Sequence, residues 1–204
     1  MSLQPFTQVS GQAAAFLAAN VDTDVIMPKQ FLKGIDRQGL DRGVFFDLRF
    51  LPDGKPNPDF ILNQPTWQQA SFLVVGPNFG CGSSREHAVW GLQQLGVRAL
   101  IGSSFAGIFY DNCQRNGVLL ITLEEAQVQQ IGTLVGEAET ARLSIDLQAQ
   151  RISLADGSVV DFQIDALRKT SLLLGLDAIG STLQRRDQIS AFERQHLAAN
   201  PWLS

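Results

Sequence analysis

The stretch Asn78-Phe79-Gly80-Cys81-Gly82-Ser83-Ser84-Arg85-Glu86-His87-Ala88 decides how the chain around it folds. The apolar run 72–76 before it predicts a short buried strand. After it, apolar residues recur on one face of segment 84–94, as expected of a helix packed on a sheet. The quoted stretch is therefore predicted to be a glycine-rich loop that joins a strand to a helix.

A junction of this kind is suited to binding small anions. Free backbone N–H groups and the helix dipole favour negative charge at the start of a helix. Glycine lets the backbone approach a ligand closely, and Arg85 adds a planar donor fork that suits a carboxylate. The loop therefore predicts a site for carboxylates or phosphate.

A purely structural interpretation of the same residues stands beside this one. Ser83 and Glu86 have the spacing of a capping box, in which the serine side chain only closes the helix start. The loop lacks the Walker pattern, the dinucleotide fingerprint and the Gly-x-Ser-x-Gly elbow of hydrolases. Cys81 near a helix start is either a reactive thiolate or a packing residue, and packing is favoured. For His87, structural and functional roles remain equally open.

Strands and helices alternate after the loop and then give way to period-two patterns. Segments 98–101 and 118–122 resemble strands, 105–115 resembles a helix, and this alternation favours parallel strands with helical crossovers. Segments 143–147, 151–154 and 159–163 resemble strands, with a hairpin turn at Asp156-Gly157. The predicted fold class is α/β, a mostly parallel central sheet with a β-hairpin region.

The flanking segments carry weaker signals. Segment 13–19 suits a strand or a short helix, 25–27 a short strand, and 30–49 short helical pieces and loops. Four prolines within 52–65 predict a surface connection. A helix is predicted over 164–174 and one or two more over 177–197, with Gly175 and Gly180 as stops.

Composition limits the classes of protein that fit. The 204 residues are 45% hydrophobic and 18% charged, and the net charge of −4 comes with no basic run, which argues against a nucleic-acid partner. Two cysteines are too few for a four-cysteine metal or iron–sulfur site, and they fit a reducing cytoplasm. No signal peptide and no bilayer-spanning apolar run is evident, so a cytoplasmic protein without a membrane partner is expected.

At this point a family resemblance appears. Segment 78–88 resembles the active-site loop of the aconitase superfamily, in the form found in small subunits of 3-isopropylmalate dehydratase. Three further segments agree with that family in order and spacing, and the resemblance thus covers essentially the whole chain. These are Asn-Val-Asp-Thr-Asp-Val-Ile-Met-Pro at 20–28, the block 104–117, and Gly-Leu-Asp-Ala-Ile at 175–179.

The resemblance implies a fold, a partner and a cofactor. The fold would be the swivelling β/β/α domain that forms the last domain of aconitase. Residues 1–204 would form this single domain, with a loop-rich insertion at about 52–66 and a helical C-terminal extension at about 177–204. A large subunit would complete a heterodimer or a higher assembly and carry the [4Fe-4S] cluster, so this chain itself would bind no cofactor and no metal.

The resemblance also assigns roles to individual residues. Ser83 matches the serine whose alkoxide removes a proton, and Ser84 and Arg85 match residues that bind substrate carboxylates. The loop after the opening motif distinguishes substrates in the family. Here that loop is 31–35, in which Phe31, Leu32 or Ile35 is expected to contact an isopropyl group, while Lys33 and Arg37 leave a cation possible. Leu32 and Lys33 are the predicted substrate-binding residues. Asp22 and Asp24 would shape the site without binding metal.

Three functions follow in order of preference. The first is the small subunit of a hydro-lyase that interconverts 2-isopropylmalate and 3-isopropylmalate in leucine biosynthesis. The second is the small subunit of a related dehydratase for another 2-hydroxy diacid, namely homoaconitate, citraconate/citramalate or dimethylmalate. The third is a non-catalytic module that binds small anions or RNA, against which the pI near 5.1 argues.

Overall fold

A seven-stranded sheet organises the computed structural model, which describes residues 3–33 and 37–203. Across the sheet the strand order is β4-β3-β2-β1-β5-β6-β7. The strands are β1 Gln8–Phe16, β2 Phe72–Val75, β3 Ala99–Gly102, β4 Leu119–Thr122, β5 Arg142–Asp146, β6 Arg151–Leu154 and β7 Val159–Asp161.

The pairing divides the sheet into two halves. Strands β1 to β4 are parallel neighbours, whereas β5 pairs antiparallel with β1, and β6 and β7 continue antiparallel. Because β6 is antiparallel to β5, it runs in the same direction as β1 to β4, so five of the seven described strands share one direction. The predicted fold class, a mostly parallel α/β sheet with a hairpin region, is confirmed.

Helices cover both faces of the sheet. α3 and α4 pack with the opening segments on one face, where Leu73, Leu100 and Leu120 point, and α5 and α6 cover the other. Such two-sided cover explains why the short parallel strands are apolar at nearly every position. The helices are α1 Thr23–Ile26, α2 Phe46–Arg49, α3 Glu86–Gln94, α4 Gly107–Arg115, α5 Glu125–Val135, α6 Ala166–Leu174, α7 Ala178–Leu183 and α8 Arg186–Ala199, with 3-10 turns at Lys29–Leu32, Leu40–Gly43, Ile61–Asn63 and Pro201–Leu203.

Several local predictions need correction. The predicted strand at 25–27 is instead part of α1, because the Asp22 side chain caps this helix by accepting a hydrogen bond from the Val25 N–H at 2.8 Å. Gly175 ends α6 in a left-handed conformation as expected, but Gly180 lies inside α7. Helix α5 has no counterpart among the predicted elements.

The proline-rich segment is more than a surface connection. Phe60 is buried, and its ring packs against the rings of Phe16 and Phe45 with centroids 5.7 and 5.8 Å apart. Leu62 and Trp67 are buried as well. Prolines therefore exclude regular strands from the segment, while its aromatic side chains complete the core.

The loops that follow β1, β2 and β3 meet at one edge of the sheet. The strands end there at Phe16, Val75 and Gly102, and the loops beyond them continue to pair. Isolated parallel bridges join Asp22 to Cys81 and Phe79 to Phe105. The carboxyl edge of a parallel sheet is the usual ligand site in such folds.

The C-terminal helices are only lightly anchored. No residue of α8 is buried, and Ile189 and Phe192 expose about half or more of their side-chain surface. Within the described residues, no helix is both long and apolar enough to cross a bilayer.

Candidate active site

The serine loop departs from a capping box in its local geometry. Helix α3 begins at Glu86 with Arg85 as its N-cap, and no side chain caps this helix. Ser83 therefore lies two residues too early to close the helix, and its side chain and that of Ser84 are exposed. The capping interpretation of Ser83 is wrong, which leaves its hydroxyl free of that structural role.

Backbone hydrogen bonds from the neighbouring loop fix the path of the serine loop. The Gly80 N–H donates to the Val21 carbonyl and the Thr23 N–H to the Cys81 carbonyl, both at 2.8 Å. The Thr23 hydroxyl donates to the Ser83 carbonyl at 2.8 Å. Gly80 takes a left-handed φ of 77°, and the Phe109 ring fills the space that a Cβ would need there.

An ion pair with Asp24 holds the guanidinium of Arg85. The Arg85 Nη1 contacts Asp24 Oδ1, and only 15% of the arginine side chain is exposed. The hydrogen bond from Arg85 keeps the pKa of the Asp24 carboxyl below its usual range. Since Asp24 occupies Nη1, the other amino group, Nη2, faces the Ser83 Oγ at 3.5 Å.

A pocket of about 130 Å³ opens beside these residues. Ser83, Ser84 and Arg85 line one side, and the start of α4, at Gly107 and Ile108, lines the other. No side chain caps α4, so its first N–H groups are available to a ligand. The pocket therefore combines a guanidinium with a helix N-terminus, which together favour bound carboxylate or alkoxide.

Comparison with known proteins identifies the family. A model of the aconitase C-terminal domain matches residues 3–126, and a model of the C-terminal domain of the 3-isopropylmalate dehydratase small subunit matches residues 179–204. A "3-isopropylmalate dehydratase small subunit 1" from Mannheimia succiniciproducens is 61% identical over 98% of this chain and 99% of its own length. The chain belongs to the family of 3-isopropylmalate dehydratase small subunits.

Other members of the dehydratase family agree with this assignment. The "3-isopropylmalate dehydratase small subunit 2" of Salmonella typhimurium is 57% identical over 98% of this chain and 96% of its own. A crystal structure titled 3-isopropylmalate dehydratase from Methanocaldococcus jannaschii superposes with a TM-score of 0.67 at 25% identity, covering 92% of this chain and 99% of that one. The resemblance inferred from the sequence is confirmed.

The predicted substrate-selecting residues lie outside the pocket lining. Phe31 packs its ring on Phe46, with centroids 5.0 Å apart, and against Gly43, so it serves the local core. Leu32 is half-buried against the same core and Lys33 is exposed. Ile35 lies outside the described residues.

Two other residues singled out in the loop do not line the pocket either. His87 lies with its ring centroid 4.8 Å from that of Trp90. The Cys81 thiol donates to the Asn20 carbonyl at 3.3 Å and is half-buried. Both contacts favour structural roles for these side chains.

The donor set of this chain does not fit an iron–sulfur cluster. The sequence holds two cysteines, which is fewer thiolates than an iron–sulfur cluster needs. Cys113 is fully buried, and burial raises the pKa of its thiol, which disfavours the thiolate that binds iron. Among residues 3–33 and 37–203, no three His, Cys, Asp or Glu side chains group as metal ligands.

Two parts of the site escaped sequence reasoning. Asp24 was expected only to shape the site, but it is the ionic partner of Arg85, 61 residues away in the chain. The start of α4 also lines the pocket. Its sequence lacks a capping side chain, because Ala106 occupies the N-cap position where serine or aspartate is usual.

Replacing Ser83 with alanine should leave the fold intact, because its side chain caps no helix. We expect the free energy of unfolding to change by less than about 0.5 kcal/mol in urea denaturation. Asp165→Ala is the matched control: Asp165 caps α6 by accepting from the Leu167 and Arg168 N–H groups at 3.0 Å. That variant should lose about 1 kcal/mol, and an equal loss in Ser83→Ala would contradict the geometry.

The Asp24–Arg85 pair should add a pH-dependent contribution to stability. The folded-state pKa of Asp24 is lowered, so the contribution is present above the unfolded-state pKa and is lost as pH falls through the lower folded-state value. Urea midpoints of the wild type and Asp24→Asn should therefore differ at neutral pH, begin to converge as pH falls below about 4, and meet only below the lowered folded-state pKa. A difference that stays constant down to the acid limit would show that the carboxylate charge contributes nothing.

Proposed function

We propose that this chain is the small subunit of a hydro-lyase that interconverts 2-isopropylmalate and 3-isopropylmalate in leucine biosynthesis. The observation that carries the proposal is the Ser83 hydroxyl, which caps no helix and faces a pocket beside an anchored arginine. The names of relatives at 46–61% identity support it.

Ser83 serves as the base in this proposal. A serine hydroxyl becomes a base only where its anion is stabilised, and hydrogen-bond donors in a protected site provide that stabilisation. The Arg85 Nη2 at 3.5 Å and the free N–H groups of α4 are such donors. The Ser83 Oγ would remove the proton from the carbon next to a substrate carboxylate, and return it in the rehydration step.

Arg85 and Ser84 bind the substrate carboxylates. The guanidinium presents Nη2 towards the pocket because Asp24 holds Nη1, so the arginine is oriented before substrate arrives. Ser84 is exposed at the pocket wall and adds a hydroxyl donor. An oriented donor pair of this kind binds a carboxylate at a smaller entropic cost than mobile side chains would.

The site is completed by a large subunit. Among residues 3–33 and 37–203, no Asp, Glu or His lines the pocket, which supports a second chain as the source of the acid that protonates a leaving hydroxyl. We assign the [4Fe-4S] cluster to that partner, where its iron would take the substrate hydroxyl. Two free thiols and an acidic composition support a cytoplasmic enzyme without nucleic-acid or membrane partners.

Loop 31–35 selects the substrate in this proposal. Leu32 offers the apolar contact that an isopropyl group needs, whereas a related diacid with a further carboxylate would call for the Lys33 ammonium. Neither residue lines the pocket in the isolated chain. Both would act on the far end of a substrate held across the subunit interface.

Reconstitution with a cluster-bearing large subunit tests the role of Ser83. In Ser83→Ala we expect kcat for 3-isopropylmalate to fall by a factor of about 100 or more, because the general base is lost. The Tm should be unchanged, and so should co-purification with the large subunit. Ser10→Ala serves as the control. Ser10 lies on β1, away from the pocket, and its hydroxyl donates a hydrogen bond to the Ser144 hydroxyl on β5. Wild-type turnover by the Ser83→Ala enzyme would refute the mechanism.

Variants at Leu32 and Lys33 distinguish isopropylmalate from the related diacids. We expect Leu32→Ala to lower kcat/KM for isopropylmalate by a factor of about 10, since a lost apolar contact weakens transition-state binding. Leu32→Met conserves volume and controls for packing. Lys33→Ala should leave isopropylmalate turnover nearly unchanged. If the wild type prefers homoaconitate and Lys33→Ala abolishes that preference, the related-dehydratase alternative is correct.

A further inference from the structure

A deeply buried asparagine side chain borders the pocket beside the serine loop. Asn112 lies on α4, is 8% exposed, and lines the pocket together with Ser83 and Arg85. We propose that Asn112 is a substrate-binding residue, and that its Nδ2 donates a hydrogen bond to a substrate carboxylate held at the start of α4. The inference rests on the proposed function, because it adds a contact to the same site.

The side-chain amide of Asn112 forms no hydrogen bond within the part of the chain that the structure describes. Only its backbone carbonyl is held by a neighbouring side chain, because the Asn116 Nδ2 donates to that oxygen at 2.8 Å. A buried amide costs free energy unless its donor and acceptor groups find partners. Because this amide faces a pocket, a polar ligand in the pocket would supply the partner.

The geometry of α4 directs this side chain towards the helix start. Asn112 follows Ile108 by four residues, so the two side chains lie on one face of the helix, and both residues line the pocket. The Cα–Cβ bonds of a helix tilt towards its N-terminus, which brings the Asn112 amide back towards Gly107. The space beside Gly107 is open, since a Cβ built there would meet no other described residue within 4 Å. A ligand bound at the free N–H groups of α4 therefore lies on the side to which Asn112 points.

The charge of the pocket favours an anion as the ligand. Among residues 3–33 and 37–203, Arg85 is the one charged residue that lines the pocket, and the start of α4 adds partial positive charge. A carboxylate accepts hydrogen bonds and donates none, so it would meet the Nδ2 end of the Asn112 amide. Arg85 and Asn112 come from opposite walls of the pocket. Together they provide two separate contacts for the two carboxylates of a diacid.

Asn116 shows what a purely structural asparagine looks like on the same helix. It is 9% exposed, and is thus buried as deeply as Asn112. Its Oδ1 accepts from the Trp90 Nε1 at 2.9 Å, and its Nδ2 donates to the Glu86 Oε1 at 3.0 Å. Asn116 does not line the pocket. The two asparagines are therefore matched in helix and burial, and they differ in whether the protein itself satisfies the amide.

Replacing each asparagine with leucine separates the two roles. Asn112→Leu removes an amide that has no protein partner, so we expect the Tm to stay within about 2 °C of the wild type. Asn116→Leu breaks three side-chain hydrogen bonds and leaves their partners unpaired, so its Tm should fall by about 4 °C or more. An equal fall in Asn112→Leu would assign a structural role to Asn112 and overturn the proposal.

Kinetics of the enzyme reconstituted with a cluster-bearing large subunit test the contact with substrate. Asn112→Leu should raise KM for 3-isopropylmalate by a factor of about 10, because a hydrogen bond to a charged group is lost, while kcat stays within a factor of about 3. Asn112→Asp keeps the size of asparagine but places a negative charge beside the substrate carboxylate. It should raise KM further, by a factor of about 100. A purely steric role predicts the reverse order.

The remaining outcomes also decide the proposal. An unchanged KM in both variants would show that the amide does not contact substrate, and a fall in kcat at constant KM would place its action on the reacting atoms instead of a carboxylate. Either result overturns the proposal. If the wild-type enzyme fails to convert 3-isopropylmalate, the proposed function fails, and citramalate becomes the probe. The same order of KM values for citramalate would then support the Asn112 contact, and its absence would overturn that contact as well.

Discussion

Backbone hydrogen bonds at the carboxyl edge of the parallel sheet hold the site together. The loop after β2 receives support from both neighbours: Gly80 donates to Val21 on one side, and Ala106 donates to Phe79 on the other at 3.0 Å. These bonds continue the pairing of the sheet beyond the ends of its strands. The three loops, which are distant in sequence, therefore form one hydrogen-bonded surface. Preorganisation of this kind matters for a serine base, because donors already in position stabilise an alkoxide without having to reorganise.

The start of α3 shows how a small shift in helix boundary changes what a residue can do. A cap at Ser83 would have bound its hydroxyl to the helix backbone and made it a poor candidate for a base. Because the helix starts at Glu86, Ser83 and Ser84 remain in the loop, and Arg85 takes the cap position with its side chain directed to Asp24. The helix lacks a side-chain cap, and the site has two serine hydroxyls that cap no helix. Helix α4 also lacks a side-chain cap, because Ala106 occupies its N-cap position.

Sequence patterns predicted the central elements because those elements depend on local periodicity. Strands β2 to β4 and helices α3 and α4 appear close to their predicted positions, and the Asp156-Gly157 turn joins β6 to β7 as expected. Contacts between distant residues were not accessible in this way. The pairing of Asp24 with Arg85 and the placement of Trp90 on Arg37 depend on tertiary structure. The short helix α1 was missed because Val25 and Ile26 are β-branched residues that favour strands, and the Asp22 cap overrides that preference.

The charge arrangement of the pocket supports the proposal that a second chain completes the site. Arg85 and the start of α4 attract negative charge, and Asp24 is already neutralised by its ion pair, so the surface suits substrate carboxylates and an alkoxide. The proposed dehydration also requires an acid that protonates the leaving hydroxyl, and among the described residues the pocket lining contains no Asp, Glu or His. One surface that stabilises anions and a second that accepts the leaving oxygen can be held by separate chains. In the proposed enzyme, the distance between the two surfaces would then be set by how this chain docks on its partner.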